Sequence, residues 1–230
     1  SEVFESNRLL RALIPVCVIP IFSISFTIFK TAIPEIHEFS WDPVLSNFDK
    51  KIHFGLHPWE RLHLVLGYPV ITSMLSYVYN LWHPIMWIIV YWQIFSQKCR
   101  LRRMQVLLAF FLCWAVLGSI VAVGFSSAGP CFYGYVVDGP NPYQDLMAYL
   151  SEADSTLYVS AIPTQEYLWS GYTNGRTGVG GGISAMPSLH LAIATIIALF
   201  AKRVGHLAGI AGWSFLLLIF LTLYILWNLF

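Results

Sequence analysis

Long apolar blocks limit what this chain can become. They fall at about 12–29, 64–95, 104–125, 188–204 and 207–229. A helix needs about 20 apolar residues to cross the hydrocarbon core of a bilayer, and in lipid only helices or closed barrels satisfy the backbone. Charged residues make up 11% of the chain, against about 25% in an ordinary soluble domain. The pattern predicts an all-α integral membrane protein. Residues 1–230 form one membrane domain, a helical bundle of about five transmembrane helices with interfacial helices in the extracytoplasmic loops.

The blocks carry their own punctuation. Pro15 and Pro20 predict a kink in the first span. Residues 30–63 are polar but contain Trp41, Phe48, Phe54 and Trp59, which suit the headgroup region and predict a short interfacial helix near 49–55. The 64–95 block is too long for one straight span. Asn80, His83 and Pro84 mark an expected break, giving either one bent helix or a span joined to an interfacial helix. The cluster Lys98, Arg100, Arg102 and Arg103 predicts a cytoplasmic loop. The 104–125 span then runs outward, and residues 127–187 form a long extracytoplasmic loop. Leu146 and Leu150, with Asp145 and Glu152, predict an amphipathic helix near 143–152 within that loop. Lys202 and Arg203 return the chain to the cytoplasmic side.

Other function classes have little support. A net charge of +1 offers no surface for nucleic acid, so none is expected as a partner. Cys17, Cys99, Cys113 and Cys131 are scattered and form neither a disulfide framework nor a zinc pattern. His53 and His57 share a helix spacing, and His63 follows. Pro58 interrupts that helix, however, and no carboxylate or cysteine completes a ligand set. No metal and no cofactor are expected.

The chemistry concentrates at residues 180–190, Gly-Gly-Gly-Ile-Ser-Ala-Met-Pro-Ser-Leu-His. Glycines allow close backbone approach, and successive N–H groups in such a turn can cradle an anion. An apolar helix follows, with Pro187 expected in its first turn. The helix N-terminus contributes unpaired donors and a positive dipole. His190 can exchange a proton near neutral pH. These parts suit a phosphate. The candidate catalytic residues are His190 and Ser188. The candidate phosphate-binding residues are Gly181, Gly182, Ser184 and Arg176, the last through its forked donors. A capped glycine-rich connector is the plainer alternative.

Pro187-Ser188-Leu189-His190 resembles the second signature motif of the type 2 phosphatidic acid phosphatase superfamily. The preceding Gly run with Ser-Ala-Met, and Gly129-Pro130 followed by Cys131-Phe132-Tyr133, resemble the branch that contains inositol phosphorylceramide synthase. The resemblance implies a metal-independent lipid phosphatase or inositolphosphotransferase-like enzyme. It would act on a membrane lipid phosphate ester through a phosphohistidine. His190 would protonate the leaving oxygen, and Ser188 with nearby N–H groups would hold the phosphoryl oxygens. The family's third motif, His-x-x-x-Asp, supplies the nucleophile and is absent here. It is expected beyond Phe230, in which case the chain is a fragment. The Lys-and-Arg first motif is also absent near 100–130, a feature shared with the synthase-like branch. The alternative is an inactive lipid-headgroup-binding or structural membrane protein.

The charge pattern makes a topological prediction. A single cysteine at position 175, in a background without the four native cysteines, should react with a membrane-impermeant maleimide added from the extracytoplasmic side. Labelling only from the cytoplasmic side would reverse the topology.

Overall fold

The computed structural model describes residues 6–96, 99–176, 178 and 180–224. Lys98 and residues 225–229 of the expected fifth span lie outside them. The described residues form helices and connecting turns, with no strand.

The helix α1 (Ser6–Ile36) runs unbroken through Pro15 and Pro20. Its apolar, span-length part is Val16–Ile36, so it extends past the expected boundary at 29 and takes in Lys30. The two sides of α1 differ. Val18, Ile21, Ile24 and Ile28 are exposed, as on a lipid-facing stripe, whereas Ile19, Phe26 and Ile33 are buried. Next comes α2 (Asp42–Ile52), an amphipathic helix with Pro43 in its first turn. It starts and ends earlier than the 49–55 helix expected from composition, and Phe54 and Gly55, which take positive φ, turn the chain after it.

The bend in the 64–95 block is not at Asn80–Pro84. It falls at Gly67–Tyr68, where α3 (Pro58–Leu66) meets α4 (Pro69–Asn80) and α5 (Trp82–Phe95) at 115°. Pro69 explains the position. The residue before a proline is pushed out of helical conformation, and Tyr68 is extended, with φ −110° and ψ 132°. Between α4 and α5 the chain continues in nearly helical form through Leu81.

The third long apolar segment is Arg100–Gly124. It comprises α6 (Arg100–Leu112), a π-helical stretch at Cys113–Val121 and α7 (Ala122–Gly124). Among the described residues, two helices are thus long and apolar enough to span a bilayer, or three if the bent pair is one span. Two shorter helices close the bundle, α11 (Leu189–Val204) and α12 (His206–Thr222). They pair as a hairpin with small residues, Ala198, Ala201, Gly209 and Gly212, at the seam. The bundle core draws Ile19 from α1, Met86 and Val90 from α5, Phe110 from α6, Ile193 and Ile197 from α11, and Ile219 from α12.

The long loop folds into a helical cover. It contains α8 (Tyr133–Val136), α9 (Gln144–Thr156) and α10 (Ala161–Thr173). Helix α9 matches the expected amphipathic segment. Helix α10 went unpredicted because Pro163 reads as a loop residue, yet it occupies the first turn, where proline is tolerated. The cover docks on a polar side of α4. Thr72 bonds Tyr149 Oη at 2.8 Å, the Ser73 hydroxyl donates to the Tyr158 carbonyl at 2.8 Å, and Asn80 donates to Ser160 Oγ at 2.6 Å. Leu75, Leu146, Leu150 and Val159 fill the space between.

In α2, the Asp49 carboxylate is fully buried and has no hydrogen-bond partner among the described residues. His53 Nδ1 lies 3.6 Å from it. Burial raises the Asp49 pKa to about 6, against an opposing pull from His53. A folded-state pKa above the unfolded value favours the protonated native state. The associated stability is therefore present below about pH 4 and lost as pH rises through about 6. Asp49→Asn should remove this dependence and raise stability at pH 7–8 by about 1–3 kcal/mol, read by thermal unfolding in detergent between pH 4 and 8.

Candidate active site

Two chain segments far apart in sequence meet at one buried carboxylate. Asp42 opens α2, and its Oδ1 accepts hydrogen bonds from the Ser127 hydroxyl at 2.8 Å and the Gly129 N–H at 2.7 Å. Its Oδ2 accepts from the Ala128 N–H at 2.9 Å. The neighbouring Trp41 N–H donates to the Ser126 carbonyl at 3.2 Å. All three Asp42 contacts are buried, so each is worth more than it would be in water.

The 126–133 turn in turn holds the 180–190 loop. The Ala185 N–H donates to the Ser127 carbonyl at 2.9 Å. Gly129 has φ +89°, and a Cβ there would lie 2.7 Å from the Ala185 Cβ. Glycine meets both demands, the positive φ and the close approach. Gly182, with φ +87°, packs the loop against α1. A Cβ at this position would come within 2.9 Å of the Lys30 and Thr31 backbone. The two sequence motifs thus form one structural unit between α1, α2 and α11.

This unit walls a cavity of about 470 Å³. Its polar lining includes Lys30, Asn80, His83, Ser184, Ser188 and His190, with the backbone of Gly180 and Gly182. Ser188 is the N-cap of α11, with φ −69° and ψ 105°, and its Oγ accepts from the Leu191 N–H at 3.4 Å. Pro187 therefore sits before the helix and not in its first turn as expected, because Ser188 takes the capping position. His190 lies one residue inside the helix. Its Nε2 shares a hydrogen bond of 2.8 Å with the Tyr79 hydroxyl. The imidazole stacks on Tyr79 with ring centroids 4.6 Å apart and lies 4.4 Å from the Trp82 ring. Helices α4 and α5 thereby fix the orientation of a residue on α11.

Two other lining groups are poorly suited to attack on phosphorus. His83 Nε2 accepts from the Trp87 indole N–H at 3.0 Å, so in the neutral ring the proton sits on Nδ1 and neither nitrogen has a free lone pair. Burial pushes the Cys131 thiol above its ordinary value and keeps it protonated.

The structure brings Gly182, Ser184, Ser188 and His190 together around this cavity. Gly181 and Arg176 line an adjoining cavity of about 350 Å³, with Thr31 and Ser170, and Gly182 and Ile183 border both. Lys30, Asp42 and Tyr79 escaped the sequence reading, and His83 entered it only as a break marker. Lys30 had a usable signal, a lone cation next to an apolar block. Asp42 and Tyr79 had none, since their partners are distant in sequence. Among the described residues no three His, Cys, Asp or Glu side chains gather as a metal site.

A family model described as the PAP2 superfamily matches residues 43–227. No curated protein and no solved structure matches the chain.

The Asp42 contacts predict a specific cost. Asp42→Ala leaves three buried donors without an acceptor and should destabilise the protein by on the order of 3 kcal/mol. The thermal unfolding midpoint in detergent checks this, and an unchanged midpoint would contradict it.

Proposed function

This chain belongs to the PAP2 superfamily, and on that footing we propose that it carries out phosphatase-type chemistry on a lipid phosphate ester at the membrane surface. Apolar helices and family membership together mark a membrane protein. The proposal adds that α11 and α12 cross the bilayer, and that the cavity opens on the extracytoplasmic side, opposite Arg100, Arg102 and Arg103.

The observation that carries this reading is the shared cavity of Ser188 and His190 at the N-terminus of α11. In the proposed reaction, an imidazole nucleophile attacks phosphorus and forms an N–P bond. The bond between phosphorus and the lipid oxygen breaks, and His190 gives its proton to that oxygen. Ser188, Ser184 and N–H groups of the 180–184 run hold the phosphoryl oxygens as negative charge redistributes. An acceptor hydroxyl then attacks phosphorus, His190 takes its proton, and the N–P bond breaks. Water as acceptor makes a phosphatase. A polyol hydroxyl makes an inositolphosphotransferase-like enzyme, the activity to which the 126–133 and 180–190 motifs point. Leu223, the residue after α12, lines the cavity. In the adjoining cavity, Arg176 would hold a more distant part of the headgroup.

The test uses the protein in lipid nanodiscs supplied with a lipid phosphate, following phosphate release and transfer to inositol. His190→Ala should lower kcat by about 100-fold or more. Tyr79→Phe, which keeps the ring stack but loses the hydrogen bond, should lower kcat by less and shift the pH profile. Unchanged turnover in His190→Ala would refute the acid role. Absence of turnover in the unmodified protein would favour an inert headgroup-binding protein.

A further inference from the structure

Helix α1 lies wholly before the segment that matches the family, yet it contributes to the cavity. Lys30 falls within its apolar span-length part, Val16–Ile36. A cation within an apolar span is costly, and it persists where it pairs or faces a polar cavity. Lys30 follows Phe26 by four residues and precedes Ile33 by three, so it shares their inward side. It lines the same cavity as Ser184, Ser188 and His190.

The neighbouring polar groups on α1 satisfy themselves. The hydroxyls of Ser23, Thr27 and Thr31 each donate to the carbonyl four residues earlier, at 2.8–2.9 Å. Lys30 differs. It has no hydrogen-bond or ion-pair partner among the described residues, and no described Asp or Glu lines the cavity. Its stem runs beside Gly182, where an added Cβ would lie 3.1 Å from Lys30 Cγ. The glycine therefore sets this lysine against the loop that carries Ser184 and Ser188. Arg176 belongs to the adjoining cavity.

We infer that Lys30 supplies the positive charge that binds the phosphate group in the His190 cavity, from a helix outside the family-matching segment. The inference rests on the phosphate reading of the site given above. A lysine ammonium serves as a compact point charge with three donors, suited to an anion whose charge redistributes during transfer. The ligand chemistry is a phosphate group, either free or on a lipid.

Binding of inorganic phosphate and of dioctanoyl phosphatidic acid to the purified protein in detergent tests this directly, with calorimetry on the unmodified chain, Lys30→Met, Lys30→Arg and Ser188→Ala. Lys30→Met should weaken binding at least tenfold, and Lys30→Arg should bind within about threefold of the original. Binding of both probes would show that the phosphate group suffices, and binding of the lipid alone would identify a lipid headgroup. If Ser188→Ala weakens binding and Lys30→Met does not, the role of Lys30 is overturned while the site reading stands. If the unmodified chain binds neither probe, the site reading falls and the inference with it. A second measurement needs no variant. Phosphate should slow reductive methylation of Lys30 relative to Lys202, read by mass spectrometry, and equal rates with and without phosphate would overturn the inference.

Discussion

The Asp42 carboxylate holds three donors from a turn that lies 85 to 87 residues further along the chain. Burying a carboxylate is costly unless its oxygens are fully engaged, and here two backbone N–H groups and a hydroxyl engage them. The arrangement fixes the 126–133 turn at the end of the long Arg100–Gly124 segment. That turn carries the 180–190 loop through the Ser127–Ala185 hydrogen bond and the Gly129–Ala185 contact. The start of α11 then has little freedom left. Ser188 and His190 face the cavity because the segments behind them are anchored to one buried anion.

The aromatic setting of His190 complements this anchoring. Tyr79 and Trp82 lie on either side of the short Leu81 link between α4 and α5, and both touch the imidazole. The same α4 helix carries the polar side that receives the cover helices, through Thr72, Ser73 and Asn80. One helix therefore bonds His190 and docks the cover helices. Met74 is exposed on the opposite side of α4. This division explains why α4 has so many hydroxyl and amide residues inside an apolar block.

Much of the architecture was legible in the sequence because its signals are local. Apolar block length announces the long helices, and Leu146 and Leu150 announce α9. Ser188 before an apolar run announces the start of α11, although it displaced Pro187 from the expected first turn. The bend at Gly67–Tyr68 was misplaced because Pro84 sits in an early turn of α5, where it is tolerated, while Pro69 acts on the residue before it. The site was half legible. Glycine, serine and histidine within eleven residues advertise an anion loop. Asp42 and Tyr79 act through partners that are distant in sequence, and no periodicity reports such pairs. Arg176 looked close to the loop in sequence, but Gly182 and Ile183 separate its cavity from that of His190.

These anchored loops are proposed as a receptor for a phosphate group at the N-terminus of α11. The most direct measurement is an experimental structure of the protein with tungstate, a phosphate mimic that scatters strongly. The account predicts tungstate within hydrogen-bond reach of Ser188 and the 180–184 backbone, with His190 beside it. Tungstate only in the Arg176 cavity, or no ordered tungstate at saturating concentration, would contradict it.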